Sequence, residues 1–272
     1  MLRQRLLTAF VIIVVVVSAI LWLPADGFSL FIAAVILLGA WEWGGLFKLR
    51  TSQRLAYCGI TAALIAALAT ANAAVMPLMV ISALWWLVAF NLVLRYPSGG
   101  TWWQARPVAL VIGLIVLVPG FAALRALRGQ DDYVAAISLF IVLVAAADSF
   151  AYFTGRAFGK RRLAPFVSPN KSWEGVFGGM AGCMTLGLIG LWWLSGERVF
   201  SLADWLTAGV GCLLLAAFSV VGDLFESMAK RHCQVKDSGT LLPGHGGVLD
   251  RLDSLTAALP VYVLILQALR IY

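Results

Sequence analysis

Seven carboxylates lie along one stretch of this chain: Asp148, Glu174, Asp223, Glu226, Asp237, Asp250 and Asp253. Lys171, Lys230, Arg231, Lys236 and Arg251 are interleaved with them. Asp223 closes one apolar segment and Asp250 precedes another, so a chain that folds back can bring the two together. Paired carboxylates among cations suit Mg²⁺, a hard ion that takes one or two protein carboxylates plus phosphate oxygens, and a second cation could share the site. At about 100° per residue, Asp223, Glu226, Ser227, Lys230 and Arg231 fall on one arc of a helix, and Leu224, Phe225, Met228 and Ala229 on the other. Taken alone, that arc also describes an interfacial helix that only touches headgroups.

It is followed by Lys236-Asp237-Ser238-Gly239, by Pro243-Gly244-His245-Gly246-Gly247 and by Asp250-Arg251-Leu252-Asp253-Ser254. Glycines around His245 let backbone N–H groups form an anion-binding nest. His232, Cys233 and His245 could be read as zinc ligands, but their spacing fits no standard zinc pattern. Upstream, Gly155-Arg156-Ala157-Phe158-Gly159-Lys160-Arg161-Arg162 is basic, as a membrane-surface anchor would be. Ser168 and Pro169 have the character of N-cap and first residue of a helix, which would put Lys171 in a first turn, where phosphate binds well. Glu42, between Trp41 and Trp43, is open to a functional role, but the better expectation is that it snorkels or pairs with Lys48.

The elements that carry these residues are membrane elements. Of 272 residues, 62% are hydrophobic and only 12% charged, and mean hydropathy is +0.93. That excludes a soluble globular enzyme, a disordered chain and a disulfide scaffold, and the apolar runs are too continuous for barrel strands. Nine spans are expected, over 6–23, 28–47, 55–71, 75–94, 109–127, 133–153, 176–194, 202–221 and 255–271, with Pro119 breaking the fifth. The first reads as an uncleaved signal anchor. With the N-terminus in the cytoplasm, 16 Lys and Arg fall inside and 4 outside. The net charge of +7 then reflects sidedness and implies no nucleic-acid partner. Cys58, Cys183, Cys212 and Cys233 read as small core residues. The two long polar segments, 154–175 and 222–254, both face inside, within a catalytic membrane domain 108–272 that follows an N-terminal multispan region 1–107.

The run Ser227-x2-Lys230-Arg231-x4-Lys236-Asp237-x-Gly239-x2-Leu242-Pro243-x-His245-Gly246-Gly247-Val248-x-Asp250-Arg251-Leu252-Asp253 closely resembles the signature of phosphatidate cytidylyltransferases. The stretches Asp148-x3-Tyr152-Phe153-x-Gly155-Arg156-x-Phe158-Gly159-Lys160 and Ser168-Pro169-x-Lys171-Ser172-x-Glu174-Gly175 are similar to the same family. Ala229 departs from it, where a bulkier apolar residue is usual. The first hundred residues match only in being multispan. The resemblance implies an inner-membrane enzyme that joins CTP to phosphatidic acid with Mg²⁺, giving CDP-diacylglycerol and pyrophosphate. It implies metal ligation by Asp223 and Asp250, a phosphate contact from Lys171, and a homodimer. Two rivals stand beside it. A CTP-dependent polyprenol or phytol kinase would release CDP. An anion transporter would carry its charges at mid-bilayer, whereas here they gather at the ends of the spans.

Overall fold

A computed structural model describes residues 2–70, 75–194 and 199–271. Its helices are α1 (Leu2–Trp22), α2 (Ala25–Leu46), α3 (Thr51–Thr70), α4 (Val75–Arg95), α5 (Arg106–Arg128), α6 (Tyr133–Phe158), α7 (Trp173–Leu194), α8 (Leu202–His232) and α9 (Leu249–Ala268). Two short strands, β1 (Arg162–Ala164) and β2 (Ser168–Ser172), pair as an antiparallel hairpin between α6 and α7. The chain is an all-α multi-pass membrane protein, with this one small hairpin among the described residues. Residues Ala71, Glu197 and Arg198 of the expected span ends and outside loops fall outside the described residues.

Among the described residues, eight helices are long and apolar enough to cross a membrane. The ninth expected span belongs to α9, whose first turn and a half carries Asp250, Arg251 and Asp253. Its apolar part is protein core: Ala257, Ala258, Leu259, Tyr262 and Val263 are all buried. Two other expectations change. The sixth and eighth spans do not stop at residues 153 and 221, because α6 continues to Phe158 and α8 to His232 without interruption. Pro119 does not end its helix either; α5 runs through it, giving up the hydrogen bond that its missing N–H would have made.

Helices α6 and α7 approach closely because glycine lines α7. An added Cβ at Gly178 would lie 2.0 Å from the Thr154 hydroxyl, one at Gly179 2.6 Å from the Ala147 carbonyl, and one at Gly182 2.3 Å from the Phe150 ring. Small residues are how membrane helices gain contact when lipid is as apolar as their side chains. Large apolar side chains of α1, including Leu6, Phe10 and Ile13, stay more than half exposed, as suits a lipid-facing surface. Ends can be matched across the fold. The Thr8 hydroxyl near the start of α1 donates to the Pro243 carbonyl at 2.8 Å, whereas Arg128 at the end of α5 donates to the Leu23 carbonyl at 3.0 Å. The start of α1 and the glycine-rich loop therefore share one end of the molecule.

Candidate active site

The last turns of α8 and the first of α9 lie against each other because Gly222 leaves no side chain between them; a Cβ there would lie 2.2 Å from the Asp253 carbonyl. Lys230 bridges the two helices. Its ammonium meets Asp250 Oδ1 at 2.5 Å and Glu226 Oε1 at 3.2 Å, and all three side chains are nearly buried. The amphipathic arc expected of this helix is thus divided. Leu224, Phe225, Met228 and Ala229 pack inward as expected, but Glu226 and Lys230 are buried too, under the charged start of α9.

Asp250 Oδ2 accepts from the Ser238 N–H at 2.9 Å, the Ser238 hydroxyl at 2.9 Å and the Gly247 N–H at 2.7 Å. The nest expected for a phosphate therefore holds the chain's own carboxylate. Gly246 at φ +83° makes the turn possible, and its missing Cβ leaves room for that oxygen. Burial alone would raise the Asp250 pKa, but the Lys230 ammonium and the two amides outweigh it and hold the carboxyl below its ordinary range. Asp253 goes the other way: burial, and then the Asp223 carboxylate, push it up to about 7.

Asp223 pairs with Lys171 at 2.6 Å, and its Oδ1 accepts from the Ser227 hydroxyl at 3.3 Å. Lys171 reaches it from strand β2, not from the first turn of a helix. Ser168 and Pro169 open the strand, and it is Ser172, whose hydroxyl accepts the Gly175 N–H at 3.1 Å, that sits ahead of α7. The Glu174 carboxylate accepts the Lys160 N–H at 3.0 Å and so ties the basic run to that helix start. Asp148 lies within electrostatic reach of Lys171, Asp223 and Arg251. A cavity of about 570 Å³ opens here, lined by Asp148, Tyr152, Arg156, Asn170, Lys171 and Asp223.

The sequence profile of the cytidylyltransferase family matches residues 3–269. The chain belongs to the cytidylyltransferase family. It is similar to the phosphatidate cytidylyltransferase of Pseudomonas aeruginosa, 44% identical over 98% of each chain. A phosphatidate cytidylyltransferase of Haemophilus influenzae is 39% identical over 96% of this chain and 97% of its own. One from Brucella melitensis is 37% identical over 94% and 90%. Similarity therefore extends through the N-terminal spans, beyond the 148–254 stretch that the motifs cover.

Several signature residues of this family member sit apart from the cavity's lining. Arg231 Nε donates to the Val167 carbonyl at 3.4 Å, holding the hairpin. Arg251 donates to the His245 carbonyl at 3.4 Å. Lys236 and Asp237 are exposed, and His232, outside the signature residues, lies edge-on to Trp103. Among the described residues no three His, Cys, Asp or Glu side chains converge as a metal site. The donor set nevertheless fits Mg²⁺ in the form that leaves most of its shell to phosphate and water. Asp223 lines the cavity and each of its oxygens accepts one hydrogen bond, so lone-pair sites remain for a cation, and among the described residues Asp250 Oδ1 meets Lys230 alone.

Glu42, too, lies differently from its expectation. It neither snorkels nor, among the described residues, forms an ion pair with Lys48. It is buried, and it accepts N–H groups from Val248 at 3.1 Å and Leu249 at 2.8 Å. The available signal was a carboxylate inside an apolar helix, which is costly enough to expect a dedicated partner.

Proposed function

We propose that this protein transfers the cytidylyl group of CTP to phosphatidic acid, releasing pyrophosphate. The observation that carries this is the convergence of Lys171 and Asp223, from a hairpin and a helix end, on a cavity beside the buried Lys230–Asp250 bridge. The cavity would hold and neutralise phosphate, and among its described lining residues no nucleophile is paired with a base. A phosphatidate oxygen is already anionic near neutral pH, so it can attack the α-phosphorus without a strong base. One P–O bond forms at that phosphorus as the bond to the β-phosphate oxygen breaks, and pyrophosphate leaves with the electron pair. Such a step is mostly alignment and charge stabilisation.

Lys171, Arg156 and Asn170 line the cavity and would orient phosphate oxygens there. Lys230 keeps Asp250 ionised and fixed. Mg²⁺, held by Asp223 and Asp250 with substrate phosphates, would neutralise charge on the triphosphate when bound; a second cation belongs to the same proposal. The site end faces the cytoplasm on this proposal, as the distribution of Lys and Arg favours, in a bacterial inner membrane where CTP is supplied from that side. A homodimer, implied by the family resemblance, is carried with it.

The test is turnover in sealed membrane vesicles of both orientations, with Mg²⁺, CTP and either phosphatidate or a polyprenol. Pyrophosphate and a CDP-lipid should form from phosphatidate, and only where the cytoplasmic face is outward. Release of CDP with a phosphorylated polyprenol would establish the kinase instead. Turnover from the opposite face would overturn the orientation.

Lys171 allows a second test. Lys171→Met should lower turnover by roughly 10²-fold or more, the scale of losing one charge donor in the transition state. Arg161→Gln with Arg162→Gln should cost far less in the same neutral micelles, because those side chains are exposed and stand outside the cavity's lining. Equal losses would make Lys171 a surface anchor.

A further inference from the structure

Val248 and Leu249 are the N-cap and first residue of α9, and Val248 has no side chain able to cap. Their N–H groups are orphan donors at the positive end of the helix. A carboxylate from α2, 206 and 207 residues away in sequence, takes both. Glu42 Oε2 also lies 3.2 Å from the Ser238 hydroxyl. The loop is shaped around this carboxylate. A Cβ at Gly239 would lie 2.4 Å from Glu42 Oε1, and one at Gly247 2.4 Å from Oε2.

Asp250 hangs from the same frame. The Ser238 hydroxyl sits between Glu42 Oε2 and Asp250 Oδ2, and its single proton serves one of them at a time. Any shift of Glu42 is therefore felt at Asp250 twice, through Ser238 and through the first turn of α9. We infer that Glu42 is a positioning residue for the proposed transfer: it clamps the glycine-rich loop and the start of α9 so that Asp250 and Lys230 are held in working register. The inference rests on the reaction proposed above, and it gives the N-terminal spans a part in the site.

The test uses the full-length protein with its four cysteines replaced and one cysteine introduced, at Thr240 in the loop or at Arg161 beside the hairpin, both exposed positions. Glu42→Gln should lower kcat by roughly 10–100-fold, the cost usual for losing a partner that orients a ligating group. Maleimide should then react several-fold faster at Thr240→Cys and at an unchanged rate at Arg161→Cys. Glu42→Asp, which keeps the acceptors, should recover part of kcat. If Glu42→Gln does not insert, Gly239→Ala, whose Cβ would meet Glu42 first, presses on the same carboxylate from the loop side and should give the same labelling pattern. A kcat within twofold of the parent, or equal acceleration at both cysteines, overturns the inference. Labelling reads the clamp without turnover, so a failure of the proposed reaction would show separately, as absence of product in the parent protein.

Discussion

Asp223→Asn should lower turnover by roughly 10³-fold or more and leave the protein folded, the scale expected when a group that stabilises transition-state charge is lost. Asp223 is the partner of Lys171 at the cavity, its side chain 34% exposed, and among the described residues its other hydrogen bond is one long contact from Ser227. Little of the fold hangs on it. The amide keeps the shape and removes the charge that holds Lys171 and that would face a cation. Asp250→Asn should differ in kind. Its carboxylate takes Lys230, Ser238 and Gly247 at once, so the amide should cost thermal stability as well as turnover. Turnover and thermal unfolding in one detergent, measured side by side, separate the two. Near-parental activity in Asp223→Asn would remove that residue from the site.

Lys230→Met should be the most destabilising single change at the site. It leaves Glu226 and Asp250 buried with no counter-charge, and breaking a buried ion pair in this way costs about 3–5 kcal/mol. The side chains involved are only 11%, 4% and 6% exposed, so water can do little to relieve them. The loss should appear as a lower midpoint in thermal unfolding. Adding Glu226→Gln should restore part of it, because one of the two uncompensated carboxylates is then neutral. A double variant no more stable than Lys230→Met alone would mean that the strain lies elsewhere.

The fold class and the candidate residues of the site were legible in the sequence because both depend on local pattern. Long apolar runs announce helices, and the arc of α8 places Leu224, Phe225, Met228 and Ala229 inward. What covers the opposite arc was not legible, since a wheel gives direction and not neighbours; α9 does the covering, and it arrives from beyond the loop. The hairpin was missed for a similar reason. Ser168-Pro169 is a good helix opening by composition, but Arg162 pairs with Ser172 and Ala164 with Ser168, and that pairing moves the helix start to Trp173. Glu42 was hardest, because its three partners lie about two hundred residues along the chain and nothing beside it in sequence calls for a carboxylate.

The length of α8 has a kinetic consequence. It runs 31 residues without interruption, or about 46 Å at 1.5 Å per residue, well beyond the roughly 30 Å hydrocarbon layer. On the proposed topology, with Leu202 at the far edge of that layer, Asp223 lies about 32 Å along the rod and would sit close to the plane of the lipid phosphates. A phosphate substrate held at that depth need not be lifted from the bilayer, and its tails can stay among their neighbours. The quantity the enzyme senses would then be the mole fraction of substrate in the membrane plane. In mixed micelles, adding inert detergent at fixed total phosphatidate should slow turnover by dilution within the surface, while CTP continues to act through its concentration in water.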